Sequence, residues 1–122
     1  MEKSKKIIHV DNSEFFRKLV RTYLQAQGFE VESYESAQEA SMALSSGFTD
    51  MVIMGLAFAD VEGEEFFDRV VNSYAGPVIV ISSNVDKAME EQLLIKGAKG
   101  AINKSGPWMQ NLEPYLSALK QE

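Results

Sequence analysis

Four polar side chains stand directly after apolar stretches of the sequence, and together they could do chemistry. They are Asp11, Asn12, Ser82 and Lys104. A carboxylate, an amide, a hydroxyl and an ammonium group, if brought together, could bind a hard cation or hold an anion. Whether they meet depends on the elements that carry them.

Apolar runs alternate with amphipathic stretches along the chain. The runs that read as strands are 6–10, 30–34, 51–54, 78–81 and 100–103, and helical spacing follows each of them. Two runs, 51–54 and 78–81, are apolar at every position, as in strands of a parallel sheet that are buried on both faces. The order βαβαβαβαβα predicts an α/β fold with helices on both faces of the sheet. Since ligands bind at the carboxyl ends of such strands, the four polar side chains are expected to converge there.

Two local signals predict helix boundaries. Ser36 and Glu39 have the spacing of a capping box, in which Ser36 accepts from the backbone and Glu39 reaches back. In the last helix, proline is tolerated only in the first turn, so Pro114 predicts a start near Asn111. The alternative is a helix that begins at Trp108 and kinks at the proline.

Composition excludes several classes of protein. The chain has 122 residues, the size of one domain, with no cysteine and one histidine, which excludes disulfides, thiolate sites and two-histidine metal motifs. A net charge of −6 argues against a nucleic-acid partner, which would need a basic patch. No apolar run approaches the roughly 18 residues of a membrane span, and the first residues lack the apolar stretch of a signal peptide. We expect a cytoplasmic protein.

The sequence resembles the receiver domain of two-component response regulators over essentially its whole length, residues 1–122. Four segments in the right order carry the resemblance: Ile7–Ser13, Asp50–Gly55 with Gly63 downstream, Pro77–Ser83 and Gly97–Lys104. The resemblance implies a (βα)5 doubly wound, flavodoxin-like sheet of five parallel strands in the order 2-1-3-4-5. It also implies a part in phosphorelay signalling, with a histidine kinase or a downstream target as partner, rather than an enzymatic activity.

The resemblance also implies roles for the residues at the strand ends. In the family, two acidic residues after the first strand hold Mg²⁺, an aspartate after the third accepts a phosphoryl group, and a hydroxyl and a lysine bind that group. Asp11 matches the first acid, and Asn12 falls at the second. Ser82 matches the hydroxyl and Lys104 the lysine, but Gly55 stands at the acceptor position. Glycine has no carboxylate, so the covalent step lacks its nucleophile.

Charge further predicts that Mg²⁺ binding at Asp11 is weak or lost. Three carboxylates and a lysine carry a charge of −2, whereas Asp11 and Lys104 sum to 0. Each missing charge at ~4 Å is worth ~4 kcal/mol at an effective dielectric of ~20, about the whole binding energy of a millimolar site. We therefore expect no cofactor. We expect Lys104 to pair with Asp11, or with strand-end carbonyls, above Gly55, and Asp11 and the Ser82 hydroxyl to bind nearby backbone.

Two further positions depart from the family. Ala101 occupies the place of a switch aromatic in the fifth strand, and alanine cannot swing between buried and exposed states. Ser105 stands where a proline usually follows the lysine, so the Lys104–Ser105 bond is expected to be trans. These departures indicate a pseudo-receiver, a receiver fold that acts as a protein-interaction module independently of phosphorylation.

Other interpretations of these residues stay open. Asp60 or Asp11 could serve as an atypical phosphoryl acceptor. Alternatively, the strand ends could form a pocket for a small ligand or an enzymatic reaction. His9 lies in the middle of an apolar strand and is expected to be a core or partly exposed side chain rather than a ligand or phosphate carrier.

Three consecutive apolar residues, Leu93, Leu94 and Ile95, predict a partner surface. Neighbouring residues of a helix point ~100° apart, so at least one of them is expected to be exposed unless the following loop covers it. In the family, the fourth helix, fifth strand and fifth helix form a face that often dimerises or docks targets. Trp108 would extend this surface, and a homodimer is one use of it.

Overall fold

Strands and helices alternate along the computed structural model, which describes residues 4–122. The elements are β1 (Lys6–Val10), α1 (Glu14–Ala26), β2 (Glu30–Tyr34), α2 (Ala37–Ser46), β3 (Met51–Met54), α3 (Gly63–Ser73), β4 (Val78–Ser82), α4 (Lys87–Lys96), β5 (Gly100–Asn103) and α5 (Trp108–Lys120). All strand pairs are parallel, and the strand order is β2-β1-β3-β4-β5. The predicted fold class and strand order are confirmed. Within residues 4–122, no helix combines the length and the apolarity needed to cross a bilayer.

Each face of the sheet carries its own apolar core. Helices α1 and α5 cover one face, and α2, α3 and α4 cover the other. The central strands β3 and β4 are buried along their whole length, as their uninterrupted apolar sequences predict. Because both faces are covered by helices, the open edge at the carboxyl ends of the strands is left for polar groups.

The last helix begins at Trp108, as the alternative interpretation predicts, so the predicted start near Asn111 is wrong. Trp108 is 8% exposed and packs edge-on against Phe16 and Tyr23 of α1, with ring centroids 5.1 and 5.6 Å away. Pro114 lies inside the helix. An internal proline costs about 3 kcal/mol. Burial of one large apolar side chain returns roughly 1.5–3 kcal/mol, and α5 buries several, so packing outweighs the local rule.

The start of α2 confirms the serine half of the predicted capping box and adds a cap from a distant loop. Ser36 Oγ accepts from the Glu39 amide at 3.2 Å, and the Glu39 carboxylate accepts from the Ser36 hydroxyl rather than from its backbone. The amides of Ala37 and Gln38 donate to the carboxylate of Asp60, at 3.2 and 2.9 Å. Asp60 lies in the loop between β3 and α3, and it therefore ties that loop to α2.

Gly63, the first residue of α3, lets the helix approach the backbone of the same loop. A Cβ atom at this position would overlap the carbonyl oxygen of Leu56. We expect Gly63→Ala to lower the free energy of unfolding by about 2 kcal/mol, because backbone atoms must move to admit the methyl group. Urea denaturation measures the loss. Gly47→Ala is the matched control, since a Cβ there meets nothing within 4 Å. Equal stability of the two variants would contradict this role for Gly63.

Candidate functional site

The four polar side chains predicted to converge do meet at the carboxyl edge of the sheet. Asp11 and Asn12 follow β1, Ser82 ends β4, and Lys104 follows β5. Together with Gly55, which follows β3, they line a depression of about 330 Å³. Their convergence confirms the prediction that was based on the parallel sheet.

An ion pair between Asp11 and Lys104 forms the floor of this depression. Lys104 Nζ lies 2.9 Å from Asp11 Oδ2, and the two side chains are 22% and 2% exposed. The other carboxylate oxygen, Oδ1, accepts a hydrogen bond from the Ser13 amide at 2.8 Å, just ahead of α1. Both predicted partners of Asp11, the lysine and the backbone at the start of the first helix, are therefore present. The pair leaves neither carboxylate oxygen without a donor.

Lys104 is held from two further sides. Its backbone amide donates to the Ser82 carbonyl oxygen at 2.9 Å, which extends the pairing of β4 with β5. Its ammonium group lies 4.3 Å from the centroid of the Phe16 ring, within the range of a cation–π interaction. The Lys104–Ser105 bond is trans, as predicted. The lysine is thus fixed at both ends of its side chain.

Gly55 lies directly beside this ion pair. Its amide donates to the Val10 carbonyl oxygen at 2.9 Å, in continuation of the β1–β3 pairing. A Cβ atom on Gly55 would lie 2.9 Å from Asp11 Oδ2 and 3.5 Å from Asp11 Cγ. A side chain at this position would therefore crowd the Asp11 carboxylate, which would have to shift to admit it.

The donor set at this edge does not fit a Mg²⁺ ion. Mg²⁺ requires hard oxygen ligands in an octahedral arrangement, with at least one or two free carboxylates. Asp11 already accepts from Lys104 and from an amide, and Asn12 offers a neutral side chain. Glu62 also lines the depression, but its carboxylate accepts from two amides at the start of α3. Among residues 4–122, no group of three or more histidines and carboxylates has the spacing of a metal site.

Ser82 and Ala101 are both buried at the end of the sheet, at 8% exposure each. Ser82 lines the depression, and its carbonyl oxygen accepts from the Lys104 amide at 2.9 Å. Within residues 4–122, the predicted hydrogen bond from its hydroxyl to the backbone is not found. The small side chain of Ala101 packs in the core that α3 and α4 share.

Asp60 does not join the other site residues. Its carboxylate binds the amides at the start of α2, and these hydrogen bonds, with the Gln38 amide first, lower the pKa of the Asp60 carboxyl. The depression at the strand ends is lined without it. As an atypical acceptor, Asp60 would have to give up its cap on α2.

His9 is completely buried in β1, and within the described chain neither ring nitrogen has a hydrogen-bond partner. Burial lowers the pKa of His9 to about 4; Asp11 opposes the shift, while Lys104 and Arg17 reinforce it. The ring of Phe16 packs edge-on at a centroid distance of 6.0 Å. His9 is therefore a neutral core residue, as predicted.

The predicted partner surface is only half present. Leu94 and Ile95 are exposed, at 41% and 86%, as the angular spacing of a helix predicts. Leu93 is buried at 1% because it faces the sheet beneath α4, and Trp108 is buried between α1 and α5. Including Leu93 and Trp108 in an exposed surface was therefore wrong.

Two residues that support the ion pair were missed in the sequence. Phe16 belongs to the buried side of α1, and its ring also contacts the Lys104 ammonium group. Arg17 Nη1 donates to the backbone carbonyl oxygen of Asp11 at 2.6 Å. Their position in the sequence could have indicated this role. Both residues lie in the first turn of the helix that starts three residues after Asp11.

Known proteins share the sequence pattern. The profile described as "Response regulator receiver domain" matches residues 7–112. The chain is 26% identical over 98 residues to the KDP operon transcriptional regulatory protein KdpE of Escherichia coli (strain K12), covering 80% of this chain and 44% of that protein. It is 28% identical over 105 residues to the C4-dicarboxylate transport transcriptional regulatory protein DctD of Rhizobium meliloti (strain 1021), covering 85% of this chain and 23% of that protein. The chain spans less than half the length of these relatives.

Solved structures share the fold. A CheY-like response regulator receiver domain protein from Methanospirillum hungatei JF-1 has a TM-score of 0.85 and 21% identity, covering 98% of this chain and 96% of that one. The chemotaxis response regulator CheY4 of Vibrio cholerae has a TM-score of 0.82 and 22% identity, covering 96% and 99%. At these identities the structures show the fold, and the profile match over most of the sequence shows the family. This chain belongs to the response regulator receiver domain family.

Proposed function

We propose that this receiver domain signals without being phosphorylated, by presenting a protein-interaction surface that stays in one conformation. Receiver domains pass signals between histidine kinases and downstream effectors. The observation that carries the proposal is the Asp11–Lys104 ion pair at 2.9 Å, which lies directly beside Gly55. In the proposed function, Lys104 is paired with Asp11 permanently and does not require a phosphoryl group as its partner.

The cost of opening the pair supports a single state. Asp11 is nearly inaccessible, and removing the partner of a buried charge costs about 3–5 kcal/mol. In a receiver domain with an acceptor aspartate, a phosphoryl group would compensate the cost of moving the lysine. Gly55 has no side-chain atom that can carry a phosphoryl group. The Asp60 cap further ties the neighbouring loop to α2. In the proposed function, the carboxyl edge of the sheet therefore does not change conformation in response to phosphorylation.

Mg²⁺ is not required in the proposed function. Both oxygens of Asp11 are engaged, and the neutral Asn12 replaces a second carboxylate. We expect millimolar Mg²⁺ to leave the fluorescence of Trp108 unchanged. That side chain packs on Phe16, which in turn carries Lys104, so displacement of the lysine by a cation would alter its environment.

The proposed interaction surface is the exposed part of α4. Leu94 and Ile95 present apolar side chains to solvent, and exposed apolar groups that cluster mark interaction sites more often than isolated ones do. Ala101 offers no aromatic side chain beneath this surface that could change position. The partners in the proposed function are signalling proteins, either a histidine kinase or a downstream target.

Treatment with a small phosphodonor, or with beryllofluoride and Mg²⁺, tests the loss of phosphorylation. Intact mass spectrometry is expected to show no phosphoryl adduct, and Trp108 fluorescence no change. A receiver domain with a complete set of acidic residues serves as the positive control. We expect Gly55→Asp also to remain unmodified, because its Cβ would lie 2.9 Å from Asp11 Oδ2.

An adduct on the unaltered protein and an adduct on Gly55→Asp would contradict different parts of this proposal. A stoichiometric adduct on the unaltered protein would end the phosphorylation-independent interpretation, and peptide mapping would show whether Asp60 or Asp11 carries it. An adduct on Gly55→Asp alone would show that only the acceptor is missing, and the blocking role of the ion pair would be wrong.

A further inference from the structure

Two exposed apolar patches lie on opposite faces of the sheet. The α1 patch consists of Phe15, Leu19 and Met109, which are 73%, 37% and 42% exposed. The α4 patch consists of Leu94 and Ile95, at 41% and 86%. Helix α1 packs on one face of the sheet and α4 on the other, so the two patches point away from each other.

The residues of the α1 patch come from two helices that contact each other. Phe15 and Leu19 are four residues apart, so they share one side of α1. Tyr23 is one turn further along, and its hydroxyl donates to the Met109 carbonyl oxygen at 3.4 Å and to the Glu113 carboxylate at 3.0 Å. These contacts join the exposed side of α1 to the first turns of α5.

The helices that carry the two patches have opposite net charges. Helix α1 contains three basic residues and one acidic residue, and with Glu113 of α5, which contacts Tyr23, the balance on this side is +1. Residues 86–96, which are α4 with its N-cap, contain three acidic and two basic residues, a balance of −1. Surfaces of opposite charge attract each other and repel their own kind.

We infer that the α1 patch of one copy binds the α4 patch of a second copy of this chain, in a head-to-tail assembly. Because the two patches differ and face opposite ways, the contact is heterologous. A pair of bound copies therefore leaves an α1 patch free at one end and an α4 patch free at the other. The inference names a partner for the α4 surface and rests on the proposed interaction role. It does not depend on the loss of phosphorylation.

The contact is small, so we expect weak association. Five apolar side chains cannot bury the roughly 1,600 Å² of a standard interface, and complexes below that size are often transient. Surface charges are screened beyond about 10 Å at 0.1 M salt, so added salt should weaken the assembly. We expect species larger than the monomer at protein concentrations of about 100 μM and above in low salt.

Sedimentation velocity on two single variants tests the inference. Phe15→Ser removes the centre of the α1 patch, and Ile95→Ser removes the centre of the α4 patch; both positions are exposed, and circular dichroism checks that each variant is folded. Each variant alone is expected to be monomeric. An equimolar mixture is expected to form dimers and nothing larger, because one variant keeps the α4 patch and the other keeps the α1 patch.

Charge reversal provides the matched control for the electrostatic part. Lys18→Glu is expected to weaken self-association about tenfold at low salt. Mixing this variant with Glu91→Lys is expected to restore association, because the reversed charges then face each other again. No restoration would show that the charges do not meet in the contact.

Three other results would overturn the head-to-tail assembly. If Phe15→Ser still associates while Ile95→Ser does not, the α4 patches pair symmetrically. If Ile95→Ser associates alone, the α4 patch is not used. If the unaltered protein stays monomeric throughout, the patches do not bind each other. A phosphoryl adduct, by contrast, would refute the proposed function and leave the sedimentation results unchanged.

Discussion

Replacing Lys104 by methionine is expected to lower the free energy of unfolding by about 3 kcal/mol at pH 7. The substitution leaves the Asp11 carboxylate, 2% exposed, without the ammonium group that lies 2.9 Å from it. The remaining Ser13 amide is a single neutral donor and cannot compensate a buried charge. Urea denaturation at neutral pH measures the loss. Circular dichroism first checks that the variant keeps its secondary structure, so that its unfolding midpoint can be compared with that of the unaltered protein.

A double-mutant cycle separates the ion pair from other effects of the lysine. Asp11→Asn combined with Lys104→Met is expected to be more stable than the sum of the single losses by at least about 1 kcal/mol, because no unpaired charge is left. Lys99→Met, which removes an exposed lysine just before β5, at the opposite edge of the sheet, is the matched control. If Lys104→Met costs no more than Lys99→Met, the pair does not hold the site closed.

Acid is expected to destabilise the protein as the pH falls below 6.5, and His9 is expected to be the cause. Its pKa falls from 6.5 to about 4 on burial, so between these values the unfolded chain binds a proton that the folded chain does not. Stability is therefore fully present above pH 6.5 and is lost as pH falls. The loss from this one group is about 2 kcal/mol between pH 7 and 5 and about 3 kcal/mol by pH 4.

His9→Leu is the variant that isolates this effect. Leucine is close in volume, does not titrate, and suits a site where neither ring nitrogen has a partner within residues 4–122. The free energy of unfolding of the variant should change by well under 1 kcal/mol between pH 7 and 5, whereas that of the unaltered protein falls by about 2 kcal/mol. Parallel pH profiles of the two proteins would rule out His9 as the source of the acid sensitivity.

The sequence was sufficient for the strands because their signal is local. Residues Met51–Met54 and Val78–Ser82 are apolar or small throughout, and burial on both faces of a parallel sheet is the arrangement that accommodates such runs. The convergence of Asp11, Ser82 and Lys104 followed from the parallel direction of the strands. The absence of a nucleophile at Gly55 could also be read without coordinates, since it is a property of the residue type.

Contacts between distant segments could not be read in this way. The rule that restricts proline to a first turn failed at Pro114 because it weighs one hydrogen bond and ignores what the whole helix buries. Trp108 packs on residues more than 80 positions earlier in the chain, and no window of the sequence contains both partners. The cap that Asp60 places on α2 is hidden for the same reason.

By itself, the sequence determined the alternation of strands and helices, the family resemblance, and the lack of a side chain at Gly55, because these depend on residue types and short spacings. Only the tertiary structure decided which side of α4 faces solvent, so that Leu93 is buried while Ile95 is exposed. It also decided that the Asp11 carboxylate lies directly beside Gly55. Both depend on how a helix or a side chain is oriented against elements far away in the chain, and that orientation is set by packing across the sheet.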